Sequence, residues 1–442
     1  MCEKAASGCA KAVDRGGRGV RVVGPADEHY VPRLVDERVC EALEVFPAVL
    51  LAGPRAVGKT TTARRFAESV VELDDKAQAA PFRADPSAAL RAVSEAASGP
   101  VLLDEWQEVP EVLAAVKRAV DREARPGSFL LTGSVRAPLT SASWPGTGRV
   151  ITLNMHPLTV LERSSSGVPQ DRFVSALLNG EVSELSVPET PPDLTGYLDL
   201  AVVGGYPSVV NLRARPRTLW LDSYVEQLVL RDVPELGDIR DAPALRRLLH
   251  ALAECTGTMT ADTELASAAG MNVKTVRRQE RLLDDLRVVW SLPGWYTNRL
   301  SRLVKQRKRY ATDTGLVAAL LDVDTRGLLR NGELLGRMLE TFVLAQVRPV
   351  LEAVRNKAVA YHLRQQNGRR EVDVVLETAD GRVVGMEIKA SASPSVADTR
   401  HLAWLRDELG DRFVAGIVLH TGKSIFPLDE RITAVPIAAL WA

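Results

Sequence analysis

The chain has 442 residues, too many for one hydrophobic core, and the length favours about three domains. Its 56 basic and 56 acidic residues cancel, so global charge draws it neither to nucleic acid nor to an anionic membrane, and any polyanion site must be local. Four scattered cysteines, Cys2, Cys9, Cys40 and Cys255, form no CxxC pair and have no histidines placed to complete a zinc set, so reduced thiols are the simplest reading.

Residues 1–30 carry charges throughout, with Gly16, Gly17, Gly19 and Gly24 among them, and read as a flexible leader without a signal-peptide stretch. No later run approaches about 18 uninterrupted apolar residues, so no membrane partner is expected and the cytoplasm is the default location.

Residues 31–160 read as a nucleotide-binding core. An apolar run at 45–51, interrupted by Pro47, leads into Gly53-Pro54-Arg55-Ala56-Val57-Gly58-Lys59-Thr60, and Thr61 begins a helical pattern. Strand, glycine loop and helix in this order are the context that a GxxxxGKT match requires. Gly53 and Gly58 allow a turn whose backbone N–H groups face phosphates, Lys59 is placed for the β and γ phosphates of ATP, and Thr60 for Mg²⁺. A second apolar strand, Val101-Leu102-Leu103, ends in Asp104-Glu105, the acidic pair expected to hold magnesium through water and to polarise the attacking water. Residues 128–134 form a further strand ending in small polar groups, where Thr132 or Ser134 can sense the γ phosphate. Strands at 70–73 and 150–153 complete an expected five-stranded parallel sheet, and the spacing of Val112, Leu113, Val116 and Val120 predicts a helix over 109–122. Arg149 reads either as a phosphate or neighbouring-subunit contact or as an ordinary surface arginine.

The segment 164–192, with Ser164-Ser165-Ser166, Pro169 and Pro191-Pro192, reads as an irregular insertion and surface loop. A helical pattern follows over 216–253, with Leu219, Tyr224, Leu228, Val229, Leu245, Leu248, Leu249 and Leu252 facing a core. Arg231 is either an arginine finger acting on a neighbouring copy or a salt-bridge partner of Asp232 or Glu235. Two short helices at 263–270 and 272–283, followed by a strand at 288–292, have the layout of a winged helix-turn-helix. Lys274, Arg277, Arg278 and Arg281 lie on the outer side of the second helix. Six basic residues in eleven, Arg299, Arg302, Lys305, Arg307, Lys308 and Arg309, make a candidate phosphate-contacting stripe. The same module can equally serve as a protein contact or a lid.

Toward the C-terminus a helix over 334–347 carries Glu340 and should end at Pro349. Strands are expected at 359–363, 371–376, 383–388 and 413–419, with a helix near 396–407. Alternation puts Glu371 and Asp373 on one strand face, and Glu387 and Lys389 on one face of another. If those strands are neighbours, Glu340, Asp373 and Glu387 can bind magnesium or manganese while Lys389 orients or helps deprotonate water. His362 and Gln365 read as fold or surface residues.

The blocks Gly53 through Thr60, Leu103-Asp104-Glu105-Trp106-Gln107-Glu108-Val109-Pro110, Phe129-Leu130-Leu131-Thr132-Gly133-Ser134, Gly148-Arg149, Pro157-Leu158 with Glu162, Gly204-Gly205-Tyr206-Pro207 and Arg231-Asp232 are similar to those of a family of bacterial and archaeal ATPases of the AAA+ type. That family carries a second C-terminal domain of uncharacterised function. Lys308, Tyr310, Asp313, Gly315 and Leu316 continue the likeness, and Trp106 stands where the family usually has an aliphatic residue. Glu340, Asp373, Glu387 and Lys389 resemble the site of the PD-(D/E)XK nuclease fold, although Val372 replaces the proline common before its aspartate. The resemblance leaves two readings of the C-terminus, DNA cleavage and a scaffold without catalysis.

The expected whole is an α/β multidomain protein, with a P-loop NTPase core of the AAA+ type, a helical and winged-helix middle region and a restriction-endonuclease-like α/β C-terminal domain. Expected boundaries are 1–30 for the leader, 31–160 for the ATPase core, 161–255 for insertion and helical linker, 256–318 for the winged helix and 319–442 for the nuclease-like domain. DNA, a regulatory protein and further copies of the chain are the partners these features suggest. The competing overall function is a nucleotide-switched interaction protein.

Overall fold

The computed structural model describes residues 30–134, 148–165, 170–236, 241–296, 306–354, 358–365 and 368–442. They form two compact units. The first takes in the described residues up to Leu158, with Ser165 and Asp285–Arg287, and the second takes in Thr159–Ser164, Gln170–Asp284 and Val288–Ala442.

In the first unit, β1 (Ala48–Ala52), β2 (Ser69–Glu72), β3 (Val101–Asp104), β4 (Phe129–Gly133) and β5 (Val150–Asn154) make a parallel sheet in the order β2-β3-β4-β1-β5. The sequences AVLLA, VLLD and FLLTG are apolar without alternation because β1, β3 and β4 are central strands covered on both faces, and every residue in them is buried. The edge strands β2 and β5 are only partly buried. The helix Val112–Arg122 lays Val112, Leu113, Ala115, Val116 and Val120 into the core that also holds Trp106. Register places Leu51 beside Thr132 and Leu103 beside Leu131, so β1, β3 and β4 end at one sheet edge. The run at 45–51 does not enter the sheet as a unit. Val45 closes the helix Val35–Val45 and is 63% exposed, and β1 begins only after Pro47.

The second unit contains a six-stranded mixed sheet built from β8 (Ala358–Gln365), β9 (Arg370–Thr378), β10 (Val383–Ile388), β11 (Phe413–His420), β12 (Phe426–Asp429) and β13 (Ile432–Pro436). Its order is β12-β13-β11-β10-β9-β8. Four of these strands are expected from the sequence; β12 and β13 are additions. Both are short and carry a proline, which reads as a breaker, yet β12 is an edge strand, where a missing N–H is tolerated. The helix Gly332–Ala353 continues through Pro349 instead of stopping there, since burial of Val347, Pro349 and Val350 outweighs the lost backbone bond.

Two further expectations fail here. The segment 164–192 is no surface loop throughout, because the helix Phe173–Asn179 buries Phe173, Val174, Leu177 and Leu178, and Arg382 Nη1 donates to the Leu178 carbonyl at 2.7 Å. Leu219 does not face the core: it is 72% exposed on the helix Ala214–Gln227, which buries Leu221 and Val225. The helices Asp262–Ala269 and Val273–Asp285 are followed by an antiparallel pair, β6 (Val289–Leu292) and β7 (Lys308–Ala311). Leu265, Ala269, Val276 and Leu283 are buried as their spacing requires, and Lys274, Arg277, Arg278 and Arg281 are exposed. Among the described residues no helix is long and apolar enough to cross a membrane.

Candidate functional site

The glycine loop is shaped by close approaches that a side chain would block. A Cβ on Gly53 would lie 2.3 Å from the Met155 carbonyl oxygen, and Gly58 takes φ +94° at the start of the helix Lys59–Arg64. Ala56 also adopts a left-handed conformation, at φ +60°. Pro54 is buried, Arg55 half-buried, Val57 fully buried, and Thr61 exposed on the first helical turn. Lys59 Nζ donates to the carbonyls of Gly53 at 3.1 Å and Pro54 at 2.8 Å. Burial pulls its ammonium down to about 8, with the Glu105 carboxylate opposing that shift.

At the shared sheet edge Thr60 Oγ1 donates to Asp104 Oδ1 at 2.9 Å, and Thr132 Oγ1 donates to the same oxygen. The Glu105 N–H in turn donates to Thr132 Oγ1 at 3.3 Å. Thr132 therefore links the Asp104 carboxylate to the backbone of Glu105. Glu105 has φ +50°, an uncommon conformation for a residue with a side chain, and its carboxylate accepts from Gln107 Nε2. Thr60 and Asp104 form a pair of hard oxygen groups beside a loop that only glycine could build, an arrangement that fits a magnesium-bound nucleotide phosphate. Ser134 is buried, and its hydroxyl has no hydrogen-bond partner among the described residues.

Two arginines outside the motif matter to this site and carried no sequence signal of their own. Arg33 donates to the carbonyls of Val57 at 2.8 Å and His156 at 2.6 Å, bracing the loop from behind. Arg287, buried and left-handed at φ +59°, donates to Asn154 at 2.7 Å, and its charge is one of those lowering the Lys59 pKa. Arg149 pairs with Asp121 at 2.8 Å on the surface, and Arg231 is exposed on the π-helical segment Leu228–Asp232.

In the second unit β9 and β10 are antiparallel neighbours, with Met386 opposite Val374, which brings Asp373 and Glu387 together. Asp373 Oδ2 accepts from the Ile388 N–H at 2.9 Å, and Lys389 Nζ donates to Glu387 Oε2 at 3.0 Å. Glu340, from the helix Gly332–Ala353, joins them. Its Oε1 accepts from Tyr310 Oη at 2.5 Å and from Lys308 Nζ at 2.9 Å. Lys308 Nζ also lies 3.7 Å from Asp373 Oδ1 and 3.8 Å from Glu371 Oε1. Burial and the neighbouring Asp373 charge push Glu340 up to about 7 and Glu387 up to about 8. His362, buried against the Gln306 carbonyl, is held down at about 4 by burial and by the Lys308 charge.

This geometry corrects the basic stripe. Lys308 is 3% exposed and committed to carboxylates, so it offers nothing to a DNA backbone. Arg309 is also tied down, donating to Glu280 at 2.7 Å, to the Thr260 carbonyl and to Asp262. Arg307 is exposed, whereas Arg299, Arg302 and Lys305 lie outside the described residues. The signal that could have found Lys308 is alternation, since Lys308 and Tyr310 share a face of β7. Among the described residues no group of three or more acidic, histidine or cysteine side chains is arranged to hold a metal ion. Glu340, Asp373 and Glu387 are thus neighbours, as expected, but Glu340 and Asp373 face the Lys308 ammonium and Glu387 faces that of Lys389, instead of forming a cation-ready set.

Residues 45–163 match the AAA domain family, while 194–327 and 335–440 match two domains of unknown function, DUF8612 and DUF4143. The chain is 31% identical over 405 residues to the uncharacterized protein Rv2008c of Mycobacterium tuberculosis and, equally, to Mb2031c of Mycobacterium bovis, covering 90% of this chain and 82% of each relative. The chain belongs to their family. Its front portion is a P-loop ATPase core of the AAA type. Among solved structures it is similar to the Walker-type ATPase Paby2304 of Pyrococcus abyssi at 15% identity, TM-score 0.41, covering 69% of this chain and 99% of that one. A second is PCH-2 of C. elegans, at 15% identity and TM-score 0.22, covering 56% and 65%.

Proposed function

We propose that this member of the family is a magnesium-dependent ATPase whose nucleotide state controls a DNA-binding, nuclease-like module in the rest of the chain. The observation that carries the first part is the convergence of the Thr60 and Thr132 hydroxyls on one carboxylate oxygen of Asp104 beside the glycine loop. In this reading the N–H groups of 53–61 cradle the phosphates, Lys59 turns from its own loop carbonyls to the β and γ phosphates, and Thr60 and Asp104 hold the metal. Magnesium supplies charge neutralisation to the phosphates. Glu105 orients and polarises the attacking water, and Thr132 reports the γ phosphate to Asp104 and Glu105. Removing Lys59 by Lys59→Ala is expected to abolish both ATP binding and hydrolysis, and unchanged turnover in that variant would remove the assignment.

A proton should accompany binding. The ammonium of Lys59 titrates near 8 in the free protein, and a polyphosphate beside it raises that value. Between the two values the complex holds a proton that the free protein lacks, so at pH 8.5 ATP binding takes up most of one proton and affinity falls as pH rises further. Calorimetry in two buffers of different ionisation enthalpy reads this directly; equal apparent enthalpies would contradict it.

The winged-helix reading of 256–318 is supported by two helices followed by a hairpin, with Lys274, Arg278 and Arg281 exposed on the second helix. The nuclease-like reading is supported by Asp373, Glu387 and Lys389 on adjacent strands with Glu340 beside them. Because Lys308 sits among these carboxylates, they do not fit a metal as they stand, and no metal-dependent step is assigned to them. That same contact favours a second reading, in which the C-terminal unit is a non-cutting scaffold that signals nucleotide state to a partner. Incubation with single-stranded, duplex and branched DNA, with ATP and Mg²⁺ or Mn²⁺, separates the two. Cleavage lost in Asp373→Ala and Lys389→Ala supports the nuclease, and an intact panel supports the scaffold.

A further inference from the structure

The carboxylate cluster of the second unit has a composition that a purely structural salt bridge does not need. Glu340, Glu371, Asp373 and Glu387 bring four carboxylates to one place, and among the described residues Lys308, Lys389 and Arg364 are the cations that pair with them. Lys389 is taken by Glu387 and Arg364 lies 3.7 Å from Glu371, while Lys308 faces Glu340 and Asp373 together and Glu371 at 3.8 Å. Glu387 is itself 3% exposed, and its second oxygen, Oε1, is buried without a hydrogen-bond partner. A carboxylate oxygen buried in this way is costly unless a cation or donor can reach it. Lys308 arrives from β7, outside the sheet that holds the acids, and its side chain is 4% exposed.

An ammonium bonded at 2.9 Å to one carboxylate and within 4 Å of two others is in the place where oxygen ligands from a helix and a strand would surround a hard cation, with Glu387 on the neighbouring strand. The two occupants exclude each other, because a divalent ion needs the oxygens that Lys308 holds and would be repelled by its charge. We propose that Lys308 is a tethered cation that fills the metal position of this site, so that a divalent ion enters only when the Lys308 side chain leaves Glu340 and Asp373. This rests on the reading of the cluster as a nuclease-like cation site. It changes the role of β7 from DNA contact to gate.

The test is Mn²⁺ binding to the full chain without nucleotide, followed by electron paramagnetic resonance, in wild type, Lys308→Met and Lys308→Met combined with Glu387→Gln. Lys308→Met is expected to bind one Mn²⁺ at least ten-fold more tightly than wild type, with the gain lost in the double variant. Lys308→Gln, which keeps a donor toward Glu340, decides the matter if the methionine variant does not fold. In the variant that folds, the melting temperature should rise with Mn²⁺ more than in wild type. Wild type binding Mn²⁺ as tightly as Lys308→Met, in a manner sensitive to Glu387→Gln, would overturn the gate while leaving the cation site standing. Binding too weak to respond to Glu387→Gln in any background would overturn the cation site and the gate with it.

Discussion

Glu105→Gln is expected to lower ATP hydrolysis by a factor of about 10² or more while leaving ATP binding within about three-fold of wild type, the size of effect that removal of a general base brings. The two parts separate because Glu105 and Lys59 do different things in the same site. Lys59 meets phosphate charge, whereas Glu105 is held at φ +50° with its N–H on Thr132 and its carboxylate on Gln107, away from the glycine loop's own hydrogen bonds. A left-handed residue bearing a side chain costs on the order of 1 kcal/mol or more and persists only where the surroundings impose it. Glutamine retains the shape and the strain but has neither the charge nor the basicity. Single-turnover hydrolysis together with fluorescent-nucleotide binding checks both halves. Full turnover in Glu105→Gln would move the water-activating role elsewhere, and lost binding would mean that Glu105 supports the fold of the loop.

Trp106→Ala is expected to destabilise the first unit by about 3–5 kcal/mol, the range for emptying a fully buried aromatic position. Trp106 is 0% exposed and lies in the central core with Leu103, Val109, Val116 and Leu131. It also sets the next strand's sequence. A Cβ on Gly133 would come within 2.4 Å of Trp106 Nε1, so the indole fits only because β4 ends in glycine. Since the tryptophan directly follows Asp104 and Glu105, its loss should also loosen the Asp104–Thr132 contact and reduce hydrolysis. Trp106→Leu, a smaller apolar replacement, should recover part of the stability but leave a void against Gly133. Urea unfolding followed by circular dichroism reads the difference, and a loss below about 1 kcal/mol for the alanine variant would show that the core closes over the gap.

Legibility followed how local each feature is. The glycine loop is contiguous, with its conformation written into the spacing of Gly53 and Gly58, and the central strands announced themselves as unbroken apolar runs because both their faces are covered. Prolines misled in both directions, ending a helix on paper that continues through Pro349 and hiding β12 and β13. Propensity describes an isolated segment, while burial of the neighbouring apolar residues decides what the segment does. The helix Phe173–Asn179 was hidden for the same reason, lying between serine- and proline-rich stretches.

The basic run at 299–309 shows the limit most clearly. By itself the sequence determined that Lys308 and Arg309 are cations in a positively charged stretch, and that Lys308 and Tyr310 share a strand face. It likewise determined a phosphate loop, an acidic pair after an apolar strand, and alternating carboxylates near the C-terminus. Only the tertiary structure decided that Thr60 and Thr132 meet on Asp104, and that Lys308 meets Glu340, Asp373 and Glu371. The physical reason is that a charge's partner is chosen by distance in space. Residues 308, 340, 371 and 373 come from two strands and a helix whose packing is set by apolar surfaces elsewhere, so their spacing along the chain says nothing of a shared site.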